Sequence, residues 1–329
     1  MIKQATTLYY QAPTPREWGG RNDGSEAQHR RWHQQIQLVD LKQTTSFDGA
    51  FVVLGFACEE GVARNSGRVG AAQGPAALRK ALLNLPIFDA KHTHLYDAGD
   101  IICTDQNLEA AQEALGDAVQ QIRHHGGFPI LLGGGHEITY GHYLGLRSAV
   151  DKQLGIINLD AHFDCRQPKP AATSGTGFYQ IAEDEKKRGN KLHYLPIGIQ
   201  KISNTKALFD EMHKQGIAWI EAEDFHLGNK DRILESIDAF LAQVDQLYLT
   251  IDLDVFAAPY APGVSAAAFC GIVPDPFFWL VLRRILQSPK LISIDIAELN
   301  PHFDIDMRTA KLGANLIFEL LQHCKEKTL

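Results

Sequence analysis

The sequence predicts an α/β protein, a mostly parallel sheet covered by helices on both faces. Three observations predict it. Strand-like and helix-like segments alternate along most of the chain after about residue 50. Several strand-like runs, among them "VVLGFA" and "LGIINL", are apolar on both faces, as strands between two helical layers are. The 329 residues are 45% hydrophobic, enough for one large core. No linker, low-complexity tract or internal repeat interrupts the pattern. One domain over 49–329 is therefore expected, behind an irregular polar arm of residues 1–48 with a short helix near "GSEAQHRRWHQQI".

The elements follow in order. "AFVVLGFA" (50–57) reads as a strand. "GPAALRKALLNL" (74–85) reads as a helix, with Pro75 in the first turn, where a missing N–H costs nothing. Helical spacing of apolar residues marks 108–125, and "FPILLGGG" (128–135) is a strand running into glycines. A helix over 137–150 and strands over 154–160, 192–199, 217–225, 246–254 and 291–299 complete the sheet. Helices near 205–215, 229–243, 275–288 and 308–325 lie between and after them.

The formal charge of −7 gives no sign of nucleic-acid binding. No apolar run is long enough to span a membrane, and the first residues lack the apolar core of a signal peptide. Five cysteines without CxxC spacing read as reduced thiols in a cytoplasmic protein.

Four polar clusters fall at strand ends, where open α/β sheets bind ligands. "GGGHE" places His136, and "DAHFD" places Asp160, His162 and Asp164. "IDLD" places Asp252 and Asp254, and "DIAELNP" places Asp295 and Glu298. Residues two apart in an extended segment point the same way, so Asp160, His162 and Asp164 converge, as do Asp252 and Asp254. Packed carboxylates repel and resist ionising, and a divalent cation removes the conflict. Six ligands exceed what one catalytic ion with an open position takes, so they suit two ions sharing carboxylates. The set contains no cysteine, which argues against structural zinc. Mixed carboxylate and imidazole ligation favours manganese. Two such ions, roughly 3.5 Å apart, lower the pKa of a water held between them. Each piece has a plainer reading: a lone histidine is more often in the core, and acidic strand ends often cap the next helix. Their combination on successive strand ends carries the metal reading.

These residues resemble the ureohydrolase family of arginase and agmatinase, from about residue 50 onward. The resemblance implies a three-layer αβα sandwich and two Mn2+ per chain. It places His136, Asp160, Asp164 and Asp252 on one ion and Asp160, His162, Asp252 and Asp254 on the other, with Asp160 and Asp252 bridging. It implies that Glu298 holds cationic substrate nitrogens and that Asp164 takes and returns a proton. Asp295 is expected to support the site, and His142 to sit on a helix face without binding metal.

Within the family the chain looks most like the formimidoylglutamase branch, on "GVARNSGRVGAAQGP" (61–75), "GGGHE", "DAHFDCR" and "SGTGFYQ". Gly135 stands where arginases usually carry Asp, Arg166 where they carry Asn, and Phe178 where they carry His. "SGTGF" replaces that branch's usual "SGTPF". The branch's substrate, N-formimidoyl-L-glutamate, has two carboxylates and a cationic formimidoyl group. Arg166 offers a planar fork to one carboxylate and Arg64 or Arg68 to the other. Asn65, Thr173, Ser174 and Gly175 would complete the substrate contacts. A structural ion pair is the competing reading for Arg68, and a solvated surface charge for Arg64. The resemblance thus implies hydrolysis of a small molecule to L-glutamate and formamide, by a chain that forms trimers or hexamers. The alternatives are another ureohydrolase, agmatinase- or guanidinobutyrase-like, and a non-catalytic metal-binding regulator.

Overall fold

The computed structural model describes residues 2–43, 46–89, 92–150 and 152–324. Its strands are β1 (Tyr10–Gln11), β2 (Gln37–Leu38), β3 (Phe51–Ala57), β4 (Leu95–Ile102), β5 (Phe128–Leu132), β6 (Leu154–Leu159), β7 (His193–Ile199), β8 (Ile220–Glu221), β9 (Gln246–Asp252) and β10 (Leu291–Ala297). Its helices are α1 (Trp32–Gln35), α2 (Glu60–Arg64), α3 (Gly74–Leu82), α4 (Leu108–His124), α5 (Ile138–Ala149), α6 (Gly177–Lys187), α7 (Lys206–Gln215), α8 (Lys230–Ala242), α9 (Pro276–Leu286) and α10 (Arg308–His323). The expected end of the last helix, at 325, lies outside the described residues.

The sheet runs β1-β4-β3-β5-β10-β9-β6-β7-β8, and β2 also pairs with β4. Every pairing is parallel except β1 with β4. Period-two alternation divides the strand side chains between two cores. Phe51, Val53, Ile130, Leu132, Ile157 and Leu159 pack with α3, α8, α9 and α10. Val52, Leu54, Leu131 and Ile156 pack with α4, α5 and α6 on the other face. Helix starts are chemically marked. Asn107 accepts Ala110 N–H to open α4, and Asp275 accepts Phe278 N–H to open α9 ahead of Pro276. No described helix is long and apolar enough to cross a membrane.

The structure departs from the sequence expectation in three places. β4 was not anticipated, because "LYDAGDII" carries Asp97, Gly99 and Asp100 where an apolar strand is looked for. Asp97 is wholly buried, and Arg79 of α3 holds both its oxygens at 2.9 Å. Helix α6 grows out of "SGTGFYQ", which reads as a loop because its glycines precede a mostly polar stretch. The expected strand at 217–225 shrinks to two residues, since it is the sheet's last strand and turns away through 222–224. Along residues 1–48, β1 and β2 pair with the outer edge of β4. Trp18 and Trp32 stack in the core beside it, and Trp18 Nε1 donates to Asp97 at 2.7 Å.

Candidate metal centre

The four central strands β5, β10, β9 and β6 are neighbours in the sheet and end side by side. Residues following or ending them form the site. His136 lies in the turn between β5 and α5, Glu298 just after β10, Asp252 at the end of β9 and Asp160 just after β6. Asp164 and Glu298 both adopt positive φ, 44° and 66°. Non-glycine residues pay strain there, and such strain clusters where a side chain must be aimed.

Ligand atoms of His136, Asp160, Asp164 and Asp252 lie within 4.8 Å of one another, and so do those of Asp160, His162 and Asp254. His136 Nδ1 is 2.8 Å from Asp164, 3.1 Å from Asp160 and 3.3 Å from Asp252. His162 Nδ1 is 3.0 Å from Asp254 and 3.4 Å from Asp160. Asp160 thus belongs to both groups through its two oxygens. Asp252 joins the first through Oδ2, and its Oδ1 accepts Asp254 N–H at 2.8 Å.

Hydrogen bonds behind these groups set their state. His136 Nε2 is 3.0 Å from Thr250 Oγ1, and the Thr250 hydroxyl donates its proton to Asp295 at 2.6 Å. Thr250 therefore accepts from His136 Nε2–H, so Nδ1, which faces the carboxylates, is the nitrogen that would ligate a metal. Asp295 also accepts from the Tyr248 hydroxyl and pairs with His142 Nδ1 at 2.7 Å. His142 is fully buried, its Nε2 on Ser293, and makes its bonds away from the metal-side groups. Asn158 Nδ2 donates to Asp160 at 3.1 Å and so orients it. Thr250 and Tyr248 were missed from sequence, although Thr250 stands two residues before Asp252 and so shares its face.

The charge balance points to a cation. Burial pushes Asp252 well up, and the charges of Asp254 and Asp160 push it further. Burial also raises Asp254, despite the opposing effect of His162. Burial would lower His162, but Asp254 and Asp160 drive it up to about 12. Burial likewise opposes protonation of His136, and its carboxylate partners reverse that. The Glu298 carboxyl is pushed up to about 8 by burial and then by the charge of Glu137. Its Oε1 accepts His136 N–H at 2.8 Å, while buried Oε2 has no hydrogen-bond partner among the described residues. Buried carboxylates this close together repel, divalent cations would remove the conflict, and the donor set fits such ions.

On one side of the ligands lies a polar triangle. Arg166 Nη1 donates to Asn65 Oδ1 at 2.9 Å, and Asn65 Nδ2 donates to Ser174 Oγ at 3.2 Å. A Cβ on Gly175 would stand 3.0 Å from Arg166 Nη1, so glycine there leaves room for the guanidinium. Thr173 accepts Gly175 N–H at 3.3 Å, within the same loop. Arg68 donates from Nε and Nη2 to the carbonyls of Ser265 and Val264 and lies over the Phe303 ring. Arg64 is not a solvated charge; it binds Glu60 and Glu109 and the carbonyls of Gln106 and Ala172. Phe178 is buried, edge-on to His136 and stacked on Tyr194.

The arginase family model matches residues 49–322. A formimidoylglutamase of Rhodococcus jostii (strain RHA1) is 45% identical over 311 residues, 93% of this chain and 95% of that one. One from Geobacillus sp. (strain WCH70) is 43% identical over 318 residues, 95% of this chain and 96% of its own. Among solved structures, the formimidoylglutamase of Bacillus subtilis shares the fold with a TM-score of 0.79 at 22% identity, covering 92% of this chain and 95% of that one. Trypanosoma cruzi formiminoglutamase with Mn2+2 gives a TM-score of 0.73 at 26% identity, covering 85% and 95%. With a family match over most of its length and relatives this similar over nearly all of it, the chain belongs to the arginase family.

Proposed function

We propose that the chain hydrolyses N-formimidoyl-L-glutamate to L-glutamate and formamide, as a formimidoylglutamase loaded with two Mn2+. The observation that carries the reading is the Arg166–Asn65–Ser174 triangle beside the paired ligand groups. Relatives 40–45% identical over almost the whole chain bear that name, and a solved relative is described with Mn2+2.

His136, Asp160, Asp164 and Asp252 would hold one ion and Asp160, His162, Asp252 and Asp254 the other. Bound there, the pair would supply Lewis acidity and a water acidic enough to attack near neutral pH. The chain's own groups do the rest. Glu298 Oε2, buried and unpartnered, receives the cationic formimidoyl nitrogens. Arg166 pairs with one substrate carboxylate, with Asn65, Ser174 and Gly175 fixing its fork, and Arg68 would meet the other by exchanging a carbonyl partner for it. Asp164 accepts the proton of the attacking water and delivers it to the glutamate nitrogen as the carbon–nitrogen bond breaks. The oxygen stays on the carbon that leaves as formamide. Residues 1–48 act as an arm on a domain spanning 49–329, in a cytoplasmic homo-oligomer of three or six chains.

The test is formamide release from N-formimidoyl-L-glutamate, with arginine, agmatine and 4-guanidinobutyrate in parallel and manganese present. Preference for the first substrate is expected. Preference for agmatine or 4-guanidinobutyrate would replace this reading with another ureohydrolase.

A further inference from the structure

Glu137 follows His136 and is wholly buried, and neither the ligand groups nor the polar triangle uses it. Its carboxylate occupies a slot that two glycines leave open. A Cβ on Gly135 would stand 2.1 Å from Glu137 Oε2, and one on Gly61 would stand 2.6 Å from its Cδ. Both substitutions would evict the carboxylate. Its Oε1 accepts Gly61 N–H at 2.9 Å, and its backbone carbonyl accepts Gln112 Nε2 at 2.8 Å. The side chain therefore ties the turn that carries His136 to α2. Helix α2 runs directly into Asn65, the residue that holds Arg166 and Ser174.

We propose that Glu137 is a positioning residue: through Gly61 N–H it sets the distance between the metal-side turn and the Asn65–Arg166 pair that grips the substrate carboxylate. The bond to Gly61 is the only direct side-chain hydrogen bond that joins His136's own turn to α2 among the described residues. Two glycines keep its slot open, so the geometry is built into both backbones. The proposal rests on the function above for the identity of the substrate, and not for the contact itself. It acts by hydrogen bonding and fit, so an amide in place of the carboxylate should serve.

The experiment compares Glu137→Gln, Glu137→Ala and Glu137→Asp with the parent enzyme. It measures bound manganese, kcat, KM and amide hydrogen exchange over residues 59–67. Glu137→Ala should keep two ions and a kcat within about threefold, raise KM about tenfold, and speed exchange over 59–67; about tenfold is the upper scale of one net hydrogen bond. Glu137→Asp, one methylene too short to reach Gly61, should behave the same way and serves if the alanine variant does not fold. Glu137→Gln keeps an acceptor oxygen and should match the parent in KM and exchange. Glu137→Gln failing as Glu137→Ala does would overturn the proposal, because charge would then be what matters. Loss of ions from Glu137→Asp, or unchanged KM and exchange in both shortened variants, would overturn it too. If the parent enzyme releases no formamide, the proposed function fails, while the exchange comparison still decides the role of Glu137.

Discussion

His136 shows how little of a metal ligand's behaviour resides in the ligand itself. Thr250 accepts from its Nε2–H and donates to Asp295, so the nitrogen facing the carboxylates is the one that would ligate a metal. Asp160 is central in a different way, since its two oxygens serve both groups. Asp160→Ala should therefore lose both ions, and Asp254→Ala one; elemental analysis after gel filtration checks the count. Two ions retained by Asp160→Ala would remove it as the shared ligand. On the substrate side, Arg166 is tested by kcat/KM. A bidentate carboxylate contact is worth on the order of 2–4 kcal/mol when one partner is removed, or roughly 30- to 1,000-fold. Arg166→Ala should lose that much on N-formimidoyl-L-glutamate with its metals in place. Arg166→Lys should recover only part, because an ammonium lacks the fork. Near-parental activity in Arg166→Ala would move the contact elsewhere, first to Arg68.

Among the elements, β4 is held by charge where its neighbours are held by apolar contact. Arg79 reaches from α3 to both oxygens of Asp97, to the Gly99 carbonyl and to Asp100 at 2.7 Å. Trp18 of the arm and the Gly99 N–H also donate to Asp97. Removing Arg79 leaves Asp97 charged and buried without its cation, which typically costs about 3–5 kcal/mol. Arg79→Met should lower the unfolding free energy in urea by that amount, and a loss below about 1 kcal/mol would show that water reaches Asp97. Asp97→Asn in the same background should restore part of the loss, since the unpaired charge is then gone.

For the molecule as a whole, the metal site is also a store of repulsion. Four carboxylates and two imidazoles meet where four strands end, and burial resists ionisation of Asp252 and Asp254. Cations that bind only the folded chain stabilise it by mass action, about 2.7 kcal/mol at a hundredfold excess over Kd. For a chain of 329 residues that is roughly 4 °C in Tm. Calorimetry should show Tm rising with manganese and falling back on chelation. An unchanged Tm would mean that the folded cluster holds no ion under those conditions.

The strand ends were legible in the sequence because chemistry and pattern coincide there. "DAHFD" follows the largely apolar run of β6, and its ligand types at every second position marked the site; the strand ends at Leu159, however, and Asp164 reaches its partners through a positive φ and not through period two. The parallel sheet was legible for the same reason, since strands buried on both faces read as unbroken apolar runs. β4 was not, because its buried charges make sense only beside Arg79, a contact between separate elements. The network of Thr250, Tyr248 and Asp295 was hidden likewise, as hydroxyls in a strand announce no partner. Glu137 is the sharpest case. Its sequence neighbour is a metal-side histidine, but its slot is made by Gly135 and by Gly61, which lies 76 residues away along the chain. Local pattern determined which residues bear the chemistry and which strand ends present them. Only the sheet order β5-β10-β9-β6 decided that those ends lie side by side, because strand adjacency is fixed by packing between distant segments.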